Sequence, residues 1–201
     1  MILSVLEIVL ALAVWGAVHS WLASIRFKEA FGRRFGQRAA NAYRFLYNIF
    51  SAITFVPVLL LAGMLPDRIL YLALPPLEYV MMFGQLLAVI GLLVAVLQTD
   101  ALGLLGIKQL MGQPERDALV TGGLYRYMRH PMYFFGLLII WLTPVMTVNV
   151  LTACVGLTAY LFVGAHYEEK KLSRLFGSRY EQYKARTPMM IPIPLARRGP
   201  A

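Results

Sequence analysis

Five apolar stretches alternate with polar, mostly basic segments along this chain: about Ile2–Ile25, Phe45–Leu65, Tyr79–Leu97, Met132–Val148 and Val150–Tyr167. The first three approach or exceed the roughly 20 residues that a helix needs to cross a bilayer. The last two are shorter, and Thr143-Pro144 with Asn149 mark a turn between them, so they predict a tilted or shallow helical hairpin. Pro57 inside the second stretch does not argue against a span, because membrane helices tolerate proline. After the hairpin, Leu172, Leu175, Phe176, Tyr180 and Tyr183 recur at helical spacing, which predicts an amphipathic tail helix over 168–183. Pro188, Pro192 and Pro194 end it. The expected fold is an all-α membrane protein of about five transmembrane helices in one integral membrane domain. Three N-terminal spans run through residue 98, and a loop, the hairpin and the tail fill 99–201.

Composition agrees: 59% of the 201 residues are hydrophobic and only 14% charged, well short of the charge on a soluble domain. The net charge of +9 is distributed unevenly. Arg26, Lys28, Arg33, Arg34, Arg38 and Arg44 occupy the first loop. Lys108, Arg116, Arg126 and Arg129 occupy the third, and eight more cations the tail, whereas Arg68 is alone on the opposite side. The positive-inside rule then places the N-terminus outside and the C-terminus in the cytoplasm. The charge reads as topology and contact with membrane lipid, with no nucleic-acid motif beside it. The first stretch lacks a basic leading end and is expected to remain as an anchor. Cys154, the single cysteine, lies in an apolar run and can form neither an internal disulfide nor a cysteine-rich metal site.

Polar residues in spans are costly, so their depth is informative. His19, Asn48 with Ser51, Gln98 with Asp100, His130 and Glu168 all fall near the cytoplasmic ends of their spans. Glu7, Gln85 and Asn149 are the exceptions, on the outer side. A transporter would place such groups near the midplane, on broken helices. A site opening to the cytoplasm and the inner leaflet fits this pattern better.

Two motifs stand at the feet of the hairpin. Arg129-His130-Pro131-Met132-Tyr133 opens it, with Pro131 at the first-turn position that proline favours and His130 near the N-cap. Free N–H groups there attract anions, and Arg126 and Arg129 add to this. The plainer reading is a helix start whose arginines face lipid phosphate. Glu168-Glu169 closes the hairpin, either as a solvated pair ending one helix or as the N-terminal cap of the next. The tyrosines around both motifs form an interfacial belt or an aromatic wall for an adenine ring or a cation. His19 reads as a hydrogen-bonded structural residue or a ligand, and His166 is two residues from Glu168, a poor spacing for a shared metal. No metal constellation is expected. Thr121-Gly122-Gly123 is a turn and not a dinucleotide fingerprint.

Taken together, Leu119-Val120-Thr121-Gly122-Gly123-Leu124-Tyr125, Arg129-His130-Pro131-Met132-Tyr133, Glu168-Glu169, Phe176-Gly177, Tyr180 and Tyr183 resemble the isoprenylcysteine carboxyl methyltransferase-like membrane methyltransferases, over about Gln109–Pro194. His19-Ser20, Tyr43-Arg44, Tyr47-Asn48 and the 100–109 stretch are similar to the bacterial branch that includes methanethiol S-methyltransferases. The resemblance implies S-adenosylmethionine as methyl donor. It implies contacts from Tyr125, His130, Pro131, Met132 and Tyr133, a lining of Asp117, Ala118, Leu119 and Val120, a polar-end contact from Glu168, and a further contact from Gln109. Two departures stand out. One more residue separates Tyr133 from Gly136 than in the prenylcysteine enzymes. Gly164 also stands where those enzymes carry a substrate-contacting arginine, which argues against a prenylcysteine carboxylate.

The expected activity is methyl transfer to a small thiol or lipophilic carboxylate. His130 and His19 are candidate bases for a thiol, and Arg126 and Arg129 are candidate anchors for the donor carboxylate or an anionic acceptor. A lipid amine acceptor, or a non-enzymatic membrane protein that binds haem or an ion or acts in transport, are the competing readings.

Overall fold

The computed structural model describes residues 1–113 and 118–192. Its helices are α1 (Ile2–Ala23), α2 (Ile25–Met64), α3 (Leu77–Leu97), α4 (Ala101–Leu105), α5 (Ile107–Leu110), α6 (Pro131–Trp141), α7 (Val148–Phe176) and α8 (Ser178–Arg186). Two short strands, β1 (Ile69–Leu72) and β2 (Val145–Thr147), pair antiparallel. The all-α membrane architecture holds. Among the described residues, α1, α2, α3 and α7 are long and apolar enough to cross a membrane. The expected fourth span is shorter than its apolar run: α6 has 11 residues, about 16 Å, and the chain then turns into β2. The strands were not legible because three or four residues carry no usable periodicity.

Contacts group the described residues into two units. The first comprises 1–72, 100–113 and 145–157. Ser24 breaks the chain between α1 and α2, and its hydroxyl accepts from Phe27 N–H as a cap. The basic stretch from Arg26 to Arg44, expected as a loop, is helical instead. Phe27, Phe31 and Phe35 recur every four residues, and their rings meet along one face (Phe31–Phe35 4.7 Å, Phe31–Tyr43 4.9 Å), which stabilises a helix that its charges obscure. The backbone of α2 breaks at Gly36, whose φ of +81° favours glycine. The two limbs of α2 then approach so closely that a Cβ on Gly32 would lie 3.3 Å from that of Ala40.

Elsewhere in this unit, Asn149 and Asp67 account for polar groups in the loop after α2. Asp67 accepts from the N–H of Asn149 (3.0 Å) and of Arg68 (2.7 Å), and Asn149 donates to Leu65 C=O. Burial alone would raise the Asp67 pKa, but these bonds and one from Thr147 outweigh it and hold the carboxyl below its usual range. α4 and α5 meet at Gly106 (φ +85°), where a Cβ would lie 2.4 Å from the Phe45 backbone nitrogen. Gly106→Ala therefore combines backbone strain with a backbone clash. It is expected to destabilise by about 2–4 kcal/mol, read as a lowered Tm of the detergent-solubilised protein.

The second unit comprises 73–99, 118–144 and 158–192. Here α3 packs on α6 through a stripe of small residues. Ala88 and Ala95 are buried, and a Cβ on Gly84 or Gly91 would meet Leu142 at 3.0 Å or the Phe135 ring at 2.4 Å. Small residues let membrane helices approach closely where burial from water offers no driving force. Gln85, a polar residue within the apolar stretch, donates to Ile139 C=O across the same contact (2.9 Å). No helix begins at Glu168: α7 runs unbroken to Phe176, and the tail turns at Gly177 (φ +52°) before α8. The predicted single tail helix over 168–183 is thus the end of α7 plus α8.

Candidate functional site

The site lies in the second unit and is assembled around the start of α6. Gln98, which ends α3, accepts from Leu124 N–H at 2.8 Å. Gly123 has φ +58°, and a Cβ there would lie 2.5 Å from the Gln98 carboxamide, which explains a glycine at this position. A 3₁₀ turn over Gly123–Arg126 then buries Tyr125. Its hydroxyl donates to Ala95 C=O (3.4 Å), and its own C=O accepts from the Tyr183 hydroxyl of α8.

The next residues are tied to the chain beyond α8. Arg129 N–H donates to Pro188 C=O (2.9 Å) and His130 N–H to Met189 C=O (3.0 Å). Pro131 takes the first position of α6 and His130 the N-cap, as the sequence predicts. His130 and Tyr133, three residues apart, share one face, and their rings stack within 5° at 5.3 Å.

The two adjacent glutamates have different surroundings, because successive helical residues are turned by about 100°. Glu169 is buried. Its Oε1 accepts from Arg129 Nε (2.7 Å), forms an ion pair with Nη2 (2.6 Å) and lies 3.3 Å from His130 Nε2, with Lys184 Nζ 3.8 Å from Oε2. Arg129 Nη1 donates to the C=O groups of Lys184 and Thr187. The guanidinium is therefore committed to a carboxylate and to the tail backbone. Glu168 keeps a side chain 42% exposed, and its Oε2 accepts from the Tyr133 hydroxyl at 2.8 Å. His130 Nδ1 is 3.6 Å from the same oxygen, too far for a hydrogen bond.

Burial and the nearby carboxylates keep the surrounding phenols protonated. Burial raises the Tyr125 pKa first, then the Glu168 charge; for Tyr180, burial acts first and Glu169 next. Tyr180 is fully buried, and its hydroxyl has no hydrogen-bond partner among the described residues. Tyr183 is pushed up from 10.0 to about 12 by burial, with Arg129 opposing and Glu169 adding. A raised tyrosine pKa means that the folded state holds its proton more tightly. Its stabilisation is complete below the unfolded value near 10 and is lost as pH rises through 12. Tyrosinate absorbance on alkaline titration should therefore show several late-ionising tyrosines, one fewer in Tyr183→Phe than in the wild type; ionisation of every tyrosine near 10 would contradict this.

His130, Pro131, Met132, Tyr133, Tyr125 and Glu168 all belong to this unit, as do Ala118, Leu119 and Val120 in the strand-free segment before the 3₁₀ turn. Asp117 lies outside the described residues. His19 and Gln109 belong to the first unit. The Trp15 ring stacks on His19, and the Tyr47 hydroxyl lies 2.7 Å from His19 Nε2. With its amide oxygen turned to Arg44 Nη1 (3.1 Å), Gln109 donates to Gly103 C=O (3.3 Å). The sequence did not point to the Arg129–Glu169 pair or to the backbone pairing of 129–130 with 188–189. Separations of 40 residues and more leave no local signal for either.

A model of the phospholipid methyltransferase family matches residues 79–179. The span covers the α3–α6 contact, the 3₁₀ turn, the His130 motif and both glutamates. The fold is that of a helical membrane protein, and the chain belongs to the phospholipid methyltransferase family. It is similar to a methanethiol S-methyltransferase of Crocosphaera subtropica, with 41% identity over 73 residues (36% of this chain, 29% of that protein). A methanethiol S-methyltransferase of Pseudomonas deceptionensis is 35% identical over 106 residues (50% and 40%). Protein-S-isoprenylcysteine O-methyltransferase B of Arabidopsis thaliana is 35% identical over 82 residues (39% and 42%). The chain thus spans between 29% and 42% of the length of these relatives. No solved structure gives a significant match.

Proposed function

We propose that this protein is an integral membrane methyltransferase that uses S-adenosylmethionine to methylate a small thiol or a lipophilic carboxylate at the cytoplasmic leaflet. The observation that carries the reading is the division of labour between the two glutamates. Glu169 is consumed by Arg129, while Glu168 is oriented by Tyr133 and left half-exposed beside the stacked His130 and Tyr133 rings. That combination suits the donor: a carboxylate for its amino group, and aromatic faces for its adenine and sulfonium.

In this reading Glu168 holds the polar end of the donor, and Tyr125, His130, Pro131, Met132 and Tyr133 shape its wall together with Ala118, Leu119 and Val120. Asp117 is carried as a further contact. S-adenosylmethionine supplies an activated methyl group, so the protein's work is alignment and exclusion of water. Donating Nε2–H to Glu169 would leave His130 Nδ1 as the acceptor for a thiol proton, with Glu169 as the orienting group. A carboxylate acceptor is already ionised and needs no such base. Arg129 is assigned a positioning role through Glu169 and the tail. His19 and Gln109 are left without an assigned role in the donor site. The orientation, N-terminus outside and C-terminus inside, rests on the charge asymmetry of the loops.

The small-thiol acceptor is supported by the names of the bacterial relatives, and a lipid amine, as second reading, by the name of the family. Membranes containing the protein should transfer label from methyl-labelled S-adenosylmethionine to one member of a panel of thiols, lipophilic acids and lipid amines. Labelling of the amine alone would replace the first acceptor by the second. Labelling of none, with donor binding absent, would overturn the reading.

A further inference from the structure

The first unit holds a second polar concavity that the methyltransferase reading does not use. A cleft of about 430 Å³ opens between the two limbs of α2, with Gln109 of α5 on one side. Its floor is the close approach of Gly32 and Ala40. Three cations line it, Lys28, Arg33 and Arg44, against one carboxylate, Glu29.

The cations are arranged differently. Arg44 is half-buried and its guanidinium is fixed in place by Gly103 C=O (3.1 Å) and by Gln109. Lys28 and Arg33 stand on the exposed rim. Arg33 pairs with Glu29 at 3.8 Å through side chains that are 73% and 61% exposed, so this pairing competes weakly with a bound anion. The volume far exceeds the roughly 30 Å³ share of one water, which suits a phosphate with an attached glycerol better than a single small ion.

Position decides the source of the phosphate. The limb carrying Lys28 and Arg33 begins directly after the apolar helix α1, and the limb carrying Arg44 leads directly into the apolar stretch from Phe45. Phe27, Phe31 and Phe35 form an aromatic ladder on the first limb, as in a helix lying at the membrane surface. We propose that this cleft binds a phosphate group at the membrane surface, the headgroup of an anionic phospholipid, with Arg44 as preset base and Lys28 and Arg33 as closing rim. The inference is independent of the methyl donor site.

The test uses the full chain in neutral detergent and reads Tm, because a ligand that binds only the folded state raises it by mass action. Phosphatidylglycerol should raise Tm and phosphatidylcholine should not. Each basic residue near an anionic surface contributes about 1 kcal/mol, so Lys28→Gln with Arg33→Gln should weaken the apparent phosphatidylglycerol affinity roughly 30-fold. Arg34→Gln with Arg38→Gln removes the same charge from the same segment outside the cleft and should change it less than about 3-fold. A rise in Tm with inorganic phosphate, lost in the Lys28/Arg33 variant, would support the site and identify soluble phosphate as a source. Equal stabilisation by the two lipids, or equal losses in the two double variants, would overturn the proposal in favour of diffuse surface charge.

Discussion

Arg129→Ala is expected to cost about 3–5 kcal/mol and to detach α8 and the residues after it, the largest single effect predicted for this chain. The substitution leaves Glu169, whose side chain is only 10% exposed, without its guanidinium partner and with Lys184 no nearer than 3.8 Å. It also strands the C=O groups of Lys184 and Thr187, which Arg129 Nη1 satisfies. Detachment is measurable as a lowered Tm and as new protease cleavage between residues 177 and 190. Arg129→Lys should recover only part of the loss, because an ammonium cannot make the planar fork that serves Glu169 on one edge and two carbonyls on the other. Full stability of Arg129→Ala would mean that the tail is held elsewhere. The experiment also separates holding from chemistry: if Arg129 acts by positioning, its loss lowers activity and tail protection together.

Glu168→Gln is expected to do the opposite, leaving folding intact and removing ligand affinity. The side chain is 42% exposed, so Tm should shift little, within about 0.5 kcal/mol of stability. A charge-assisted hydrogen bond to the donor's ammonium is worth about 1.5–3 kcal/mol, which predicts a roughly 10- to 150-fold loss in affinity for S-adenosylhomocysteine. Tyr133→Phe removes the hydroxyl that orients Glu168 Oε2 and should give a smaller loss in the same direction. A Glu169 substitution should resemble Arg129→Ala, not Glu168→Gln, because the two neighbours serve different partners.

These two predictions also show where the sequence was legible. Apolar run lengths located α1, α3 and the membrane part of α2, and Pro131 marked the start of α6, because each signal is local. Residues 25–44 were misread since charge masked a four-residue aromatic repeat that stabilises a helix. α6 stops at Trp141, although the apolar run continues, because the following residues are drawn into pairing with β1, some 70 residues earlier. The glutamates were ambiguous for a related reason. Whether a carboxylate ends one helix or begins another depends on whether α7 continues, and which of the two is buried depends on Arg129, 40 positions away. The expected preference for Glu168 over Glu169 came from the family resemblance, and the geometry supplies a physical reason for it: Glu169 is already engaged.

Calorimetric titration of the detergent-purified full chain with S-adenosylhomocysteine, wild type beside Glu168→Gln, tests the central claim most directly. One molecule should bind per chain to the wild type, with affinity reduced at least about 10-fold in the variant at unchanged Tm. No binding to folded wild type would contradict the donor site, and equal binding by both proteins would remove Glu168 from it.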